Sequence, residues 1–207
     1  MVGRVIQQLD YIDRAVVSTD SPEIARIAKE SGLDVPFMRP ESISGDIVSD
    51  WEVLHHALMA TEEDAAETYD IIVMLQPTSP FRKPEHNTMA IEKLIDGNYD
   101  AVWTLSEIDP QNHPYKQLIF EKDQVRYYDN QGAQIVARQQ LSHTYYRNGA
   151  AYAISRNCLV NLKSIQGQKT TAIIIDEPMI NIDTEFDFKL AEYFLKNKFE
   201  DENIINS

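Results

Sequence analysis

The most constraining feature of this chain is the run DIIVML at residues 70–75, which leads directly into Gln76-Pro77. A near-continuous apolar run of this length, without alternation, reads as a strand covered on both faces, as in a parallel sheet under helices. Two prolines bracket the polar residues that follow, in Gln76-Pro77-Thr78-Ser79-Pro80-Phe81-Arg82. A plain βα turn would serve as a connection. A buried strand rarely needs so rigid an exit, and this one is well placed to present Gln76 to a ligand.

The remaining pattern alternates strands and helices around that run. Residues 14–18 (RAVVS), 101–105, 150–155 and 171–176 read as strands. Ser21-Pro22 opens a helix, with Ser21 as cap and Pro22 at the position where a missing N–H is tolerated. Ile24, Ala25, Ile27 and Ala28 fall on one face of it, and Gly32 is its stop. Ser49-x-x-Glu52 is a capping box for a second helix, whose apolar stripe is Val53, Leu54, Ala57 and Leu58. A third helix spans about 84–95 and closes at Gly97, and Thr184 caps a last one. From 113 to 147 the character changes: residues 117–120 and 125–128 flank a polar Lys122-Asp123 turn and read as an antiparallel excursion. Strand–helix alternation with one β insertion predicts an α/β fold of three layers with a mostly parallel sheet and a small protruding subdomain. The expected organisation is one domain, 1–207, with the insertion at 106–146.

Charge and cysteine content remove several function classes. Acidic residues number 33 against 19 basic ones, a formal net charge of −14. A broad nucleic-acid footprint needs a basic face to displace counterions, so no nucleic-acid partner is expected. A small anionic substrate gripped by a few local cations stays compatible. The single Cys158 excludes an internal disulfide and any multi-cysteine metal cluster, and it reads as an inert buried thiol. His55 and His56 are adjacent on a helix and cannot share a face as metal ligands would. No apolar run approaches the ~18 residues of a membrane span. The opening MVGRVIQQLDYIDR lacks the apolar stretch of a signal peptide, so a cytoplasmic location is expected.

Four loops concentrate polar residues at strand ends, where ligands collect in open α/β sheets. Val17-Ser18-Thr19-Asp20 is either a strand exit with a helix cap or a nucleotide-proximal turn. Arg39 lies between Phe37-Met38 and Pro40; its guanidinium suits either a surface salt bridge or a base carbonyl or phosphate. Ser49 can cap its helix and also face a ligand. Gln76 stands in the third loop. Asn181 and Asp183 alternate at a strand end and so point to one face. Their oxygens suit Mg²⁺, which takes one or two carboxylates plus substrate phosphates; alternatively Asp183 and Thr184 only cap the last helix.

In order, VVSTDSPEIARIAKESGLDVPFMRPESISGD, YDIIVMLQPTSPFR, HPYK, RQQLSHTYYRNGAAY and INIDTEFDFKLAE resemble the acylneuraminate cytidylyltransferases, the CMP–sialic acid synthetases and their relatives. The similarity spans residues 13–195. The resemblance implies a Rossmann-like nucleotide-sugar transferase fold and attack of an acidic nine-carbon sugar on the α-phosphate of CTP, giving CMP-sugar and pyrophosphate with Mg²⁺. It places Arg39 and Ser49 on the nucleotide, and Gln76, Lys116, Arg138, Arg147 and Asn148 on the sugar. Asp183, with Asn181 beside it, would hold the metal. It makes 106–146 a dimerisation subdomain that shares active sites across a homodimer, Lys116 and Arg138 reaching the neighbouring subunit's site.

This chain departs from the family pattern in three places. Asn181-Ile182-Asp183-Thr184 stands where the family usually has D-I-D-T, so one carboxylate becomes an amide. Tyr146-Arg147-Asn148-Gly149 replaces R-P-N-G and moves the arginine one place later. Met1-Val2-Gly3-Arg4 falls where the family's first helix begins, so the resemblance predicts that the strand and the arginine- and lysine-bearing loop for the CTP triphosphate are missing from this stretch. Residues 1–207 alone are therefore expected to make little pyrophosphate. Two alternatives follow: a noncatalytic homologue serving in binding or oligomerisation, and a nucleotidyltransferase for another sugar.

Overall fold

The computed structural model describes residues 5–6, 8–9 and 12–205, with side chains through 196. The apolar run forms β1 (Ile71–Met74). With β2 (Ala101–Glu107), β5 (Tyr145–Ser155) and β6 (Thr170–Ile174) it builds a four-stranded sheet in the order β1-β5-β2-β6. β2 and β6 pair in parallel, and β5 runs antiparallel to both β1 and β2. Three strands thus share one direction and leave their carboxyl ends together.

Side chains alternate across this sheet, as the two-residue period of a strand requires. Ile71 and Val73 of β1, Val102 of β2 and Ala151 and Ala153 of β5 face α3 (Pro84–Gly97), against its Ala90, Ile91 and Leu94. Ile72, Ala101, Trp103 and Ile154 face the other way, toward α2 (Asp50–Ala65) and α4 (Arg156–Val160). These two cores make the expected three layers. Cys158 lies in the second core, where burial pushes its thiol up to about 11, as befits an inert group.

α1 (Pro22–Glu30) begins as expected: the Ser21 hydroxyl accepts from the Ile24 N–H, and Gly32 takes a positive φ after the last turn. Only Ala25 and Ala28 of its apolar face are buried, with Val17, Leu33 and Val35; Ile24 and Ile27 are half exposed. Residues 14–18 do not form the expected strand. Val16 makes one isolated parallel bridge to Asp34, and the Val17 N–H donates to the Asp34 carbonyl at 2.8 Å. An extended run becomes a strand only where a neighbour supplies a ladder, and here that neighbour is a single residue. β1 likewise pairs on one side only among the described residues, and its side chains are half buried, against the full burial its composition suggests. The opening Met1–Arg4, on which the expectation of a missing triphosphate loop rests, lies outside the described residues.

Residues 108–144 leave the main sheet. They carry short 3-10 turns and a separate hairpin, β3 (Leu118–Glu121) with β4 (Gln124–Tyr127). Lys122 and Asp123 both take positive φ, the conformation a two-residue hairpin turn demands. Leu118 opposes Tyr127 and Phe120 opposes Val125, so these four share one face, and that face is open: Leu118 is 57%, Phe120 69% and Val125 63% exposed. The last helix, α5 (Glu185–Ile205), packs back through the buried Ala191.

Candidate active site

The site is built around an irregularity in β5. Trp103 of β2 pairs with Tyr152, yet Leu105, two residues on, pairs with Arg147. β5 therefore carries extra residues at 148–151, a bulge of the kind that re-aims side chains beside functional sites. Gly149 sits in it with φ +74°. A Cβ there would collide with Ser79 Oγ and Gln76 Oε1 as well as strain the backbone. The bulge thus holds the Gln76 loop against β5 at the carboxyl end of β1.

Hydrogen bonds lock this contact. Gln76 N–H donates to Gly149 O at 3.2 Å, and Ser79 Oγ donates to Asn148 O at 2.8 Å. The Gly149 N–H donates to the Tyr152 hydroxyl at 2.7 Å. Asn148 is only 3% exposed. Its Oδ1 accepts from the Thr104 hydroxyl at 2.7 Å and from the Ala150 N–H at 3.1 Å, while its Nδ2 donates to Ser106 Oγ at 3.0 Å. Every polar atom of that side chain is committed inward, so in this conformation Asn148 braces the bulge and does not reach toward a sugar.

Arg147, next in the chain, points the other way. Its guanidinium lies 5.3 Å from the Trp103 ring centroid and 5.7 Å from that of Tyr152, and it pairs with Asp50 at 3.3 Å. Asp50 is the first residue of α2, and Ser49 caps that helix: its hydroxyl accepts from the Glu52 N–H, and Glu52 returns the capping-box contact to the Ser49 N–H at 3.0 Å. The Ser49 hydroxyl, donating to Glu52 Oε2 at 2.8 Å, and the Ser49 N–H together hold the Glu52 carboxyl below its ordinary range. Ser49 and Arg147 are therefore joined through Asp50. Arg39 stands at the next loop: its N–H donates to Thr19 O at 2.8 Å, Nε to Ser44 Oγ at 3.2 Å and Nη2 to Asp20 Oδ1 at 3.2 Å. The salt-bridge reading of Arg39 and its placement beside the 17–20 loop hold together.

The fourth loop lies on the third, where the Ile182 N–H donates to Thr78 O at 2.8 Å. Asn181 Nδ2 donates to Asp183 Oδ2 at 2.6 Å, which leaves Asn181 Oδ1 buried with no partner. Asp187 accepts from the N–H groups of Asp183 and Thr184 and from the Thr184 hydroxyl, which keeps its own carboxyl below the ordinary range and frees Asp183 from capping. Among the described residues no group of three or more His, Cys, Asp or Glu side chains could hold a metal. One carboxylate and one unpartnered amide oxygen do fit Mg²⁺, whose remaining positions water and phosphate oxygens fill.

Lys116 and Arg138 lie in the insertion, and no hydrogen bond or ion pair among the described residues ties either to Gln76, Asn148 or Asp183. Arg138 lines a cavity of about 470 Å³ with Glu107, His113 and His143, where His143 Nδ1 meets Glu107 Oε1 at 2.6 Å. Sequence reasoning did not single out Arg82, Asp50, Thr104, Ser106 or Tyr152. Only Arg82 carried a signal, as the residue that ends the Gln76 loop two places beyond its second proline.

Polar loops gathered at the carboxyl ends of parallel strands, with a bulge pinning them, mark the end of the sheet where α/β folds of this kind hold their ligands. The class is the cytidylyltransferases: the sequence model of the family described as Cytidylyltransferase matches residues 1–201, and the chain belongs to that family of nucleotidyltransferases. It is 29% identical to the post-translational flagellin modification protein B of Campylobacter coli over 184 residues, 88% of this chain and 77% of that protein. It is 28% identical to the CMP-N,N'-diacetyllegionaminic acid synthase of Legionella pneumophila over 202 residues, 91% of this chain and 81% of that one. A solved CMP:2-keto-3-deoxy-manno-octonic acid synthetase with CTP superposes with a TM-score of 0.65 at 14% identity, over 95% of this chain and 86% of that one, which shows the shared fold. Among the described residues no helix is long and apolar enough to cross a membrane.

Proposed function

We propose that this chain joins CTP and an acidic nine-carbon sugar into a CMP-sugar with release of pyrophosphate. The observation that carries the reading is the convergence of the Gln76 loop, the β5 bulge, the start of α2 and the Asp183 loop at one end of the sheet. The names of similar proteins, a CMP-N,N'-diacetyllegionaminic acid synthase among them, support the sugar class.

In this reading Arg39 and Ser49 hold the cytidine part, and Gln76 meets the sugar. Arg147, lying over the adjacent Trp103 and Tyr152 rings, is held ready for an anion and released from Asp50 when one arrives. The anomeric hydroxyl attacks the α-phosphorus: a new P–O bond forms, the bond to pyrophosphate breaks, and the hydroxyl proton leaves to solvent. Asp183 and the free Asn181 oxygen would hold Mg²⁺, which neutralises phosphate charge when bound. The chain's own part is otherwise positioning, with cations facing charge that grows on the phosphate.

Lys116 and Arg138 complete the sugar site from a second copy in a homodimer, in the cytoplasm. The open apolar face of the β3–β4 hairpin supports that assembly, since a contiguous exposed patch of this kind marks an interface. A second reading, a noncatalytic binding subunit, is favoured by one observation: Asp183 already engages Asn181, where a second carboxylate would have strengthened a metal site.

Calorimetric titration with CTP and with a CMP-acid sugar, beside a pyrophosphate-release assay, tests these readings. Binding with release is the expected result for the enzyme. Binding without release supports the noncatalytic subunit, and a chain that binds neither ligand contradicts both.

A further inference from the structure

Arg82 is an unusual residue to find where it is. It is only 6% exposed, yet none of the described carboxylates pairs with it. Its Nη2 donates to the carbonyls of Gln76 and Gly149, and its Nε to that of Ser79 at 3.2 Å; Nη1 is buried without a partner. Burial without an anion pulls the guanidinium down to about 10, still charged at neutral pH. A buried cation that lacks a counter-charge is expensive, and carbonyl dipoles offset only part of that penalty. A neutral donor would brace a turn at lower cost. The three carbonyls belong to the two segments whose contact makes the site, the Gln76 loop and the β5 bulge. The charge therefore lies directly beneath the backbone that presents Gln76, in a chain whose net charge is −14.

We propose that Arg82 is a positioning residue: it fixes Gln76 against the bulge, and its unneutralised charge favours a ligand that brings a negative group to this end of the sheet. The inference rests on the acid-sugar reading above for the ligand, but not for the positioning of Gln76. It acts through Gln76, so the two residues should not behave independently.

The experiment measures acid-sugar affinity at saturating CTP for the wild type, Gln76→Ala, Arg82→Met, the double variant and Arg82→Lys, with amide hydrogen exchange at Gln76 and Ser79 on the same proteins. Gln76→Ala and Arg82→Met should each weaken the sugar by about tenfold, and the double variant by no more than about twofold beyond either, as expected for coupled residues. Arg82→Lys, which keeps the charge, should recover most of the loss. CTP affinity should stay within about twofold in Gln76→Ala and Arg82→Lys, and retained CTP binding by Arg82→Met and the double variant reports that they are folded. Exchange at Gln76 and Ser79 should quicken in Arg82→Met; if that protein does not fold, Arg82→Lys should show a smaller acceleration. Additive losses of about a hundredfold, or Arg82→Met binding like the wild type, overturn the inference. Unchanged exchange overturns it whatever ligand binds. A wild type that binds CTP but no acid sugar, with exchange behaving as expected, overturns the sugar reading and the ligand half of this inference while upholding the positioning of Gln76.

Discussion

Two regions of this molecule treat their side chains in opposite ways. At the β5 bulge, polar groups turn inward: Asn148 is bonded to Thr104, Ser106 and Ala150, and Arg82 to three carbonyls. In the insertion, apolar groups turn outward: Leu118, Phe120, Val125 and Tyr127 share an exposed face. The first region is complete within one chain and gains rigidity from it. The second leaves an apolar face in solvent, which the proposed second copy would cover. Damage to the first should appear as lost stability, and damage to the second as lost assembly at unchanged stability.

The sharpest break is Gly149→Ala. Positive φ and collisions with Ser79 and Gln76 should together destabilise the fold by about 2–4 kcal/mol, read as a lower urea midpoint. A variant as stable as the wild type would remove the bulge from the account. Next comes Asn148→Ala, which leaves Ser106 and the Ala150 N–H short of partners in a buried setting; about 2–3 kcal/mol is expected in the same assay.

Some of this was legible in the sequence and some was not. The prolines flanking Thr78-Ser79 announce a rigid loop, and the Ser49-x-x-Glu52 spacing announces a helix start, because both are local effects. The strand expected at 14–18 needed a neighbour that local pattern does not supply. The inward role of Asn148 depends on a register shift between β2 and β5, set by pairing across some forty residues. Arg147 is placed on the sugar in the sequence by motif resemblance alone. Its aromatic platform exists only because Trp103 and Tyr152 come to lie opposite each other. Family motifs locate a site well, yet they do not tell which members face the ligand and which hold the others in place.

Smaller effects sharpen the contrast. Arg147 and Asp50 are both about two-fifths exposed, so a double-mutant cycle should give a coupling of only ~0.5 kcal/mol. A coupling several times larger would make that pair part of the braced region. Smallest in stability, within ~0.5 kcal/mol, should be Phe120→Glu with Val125→Lys, because both side chains are already in solvent. Light scattering should nonetheless show a dimeric wild type and a monomeric variant. A monomeric wild type at micromolar concentration would contradict the assembly proposal.

In the proposed function, nucleotide and sugar meet at the carboxyl end of this sheet, which the β5 bulge pins. Hydrogen exchange with and without a CMP-acid sugar tests it most directly. Protection gained at Arg39, Ser49–Asp50, Gln76–Ser79 and Arg147–Gly149 is the predicted result. Protection elsewhere, with these segments unchanged while the ligand is bound, would contradict it.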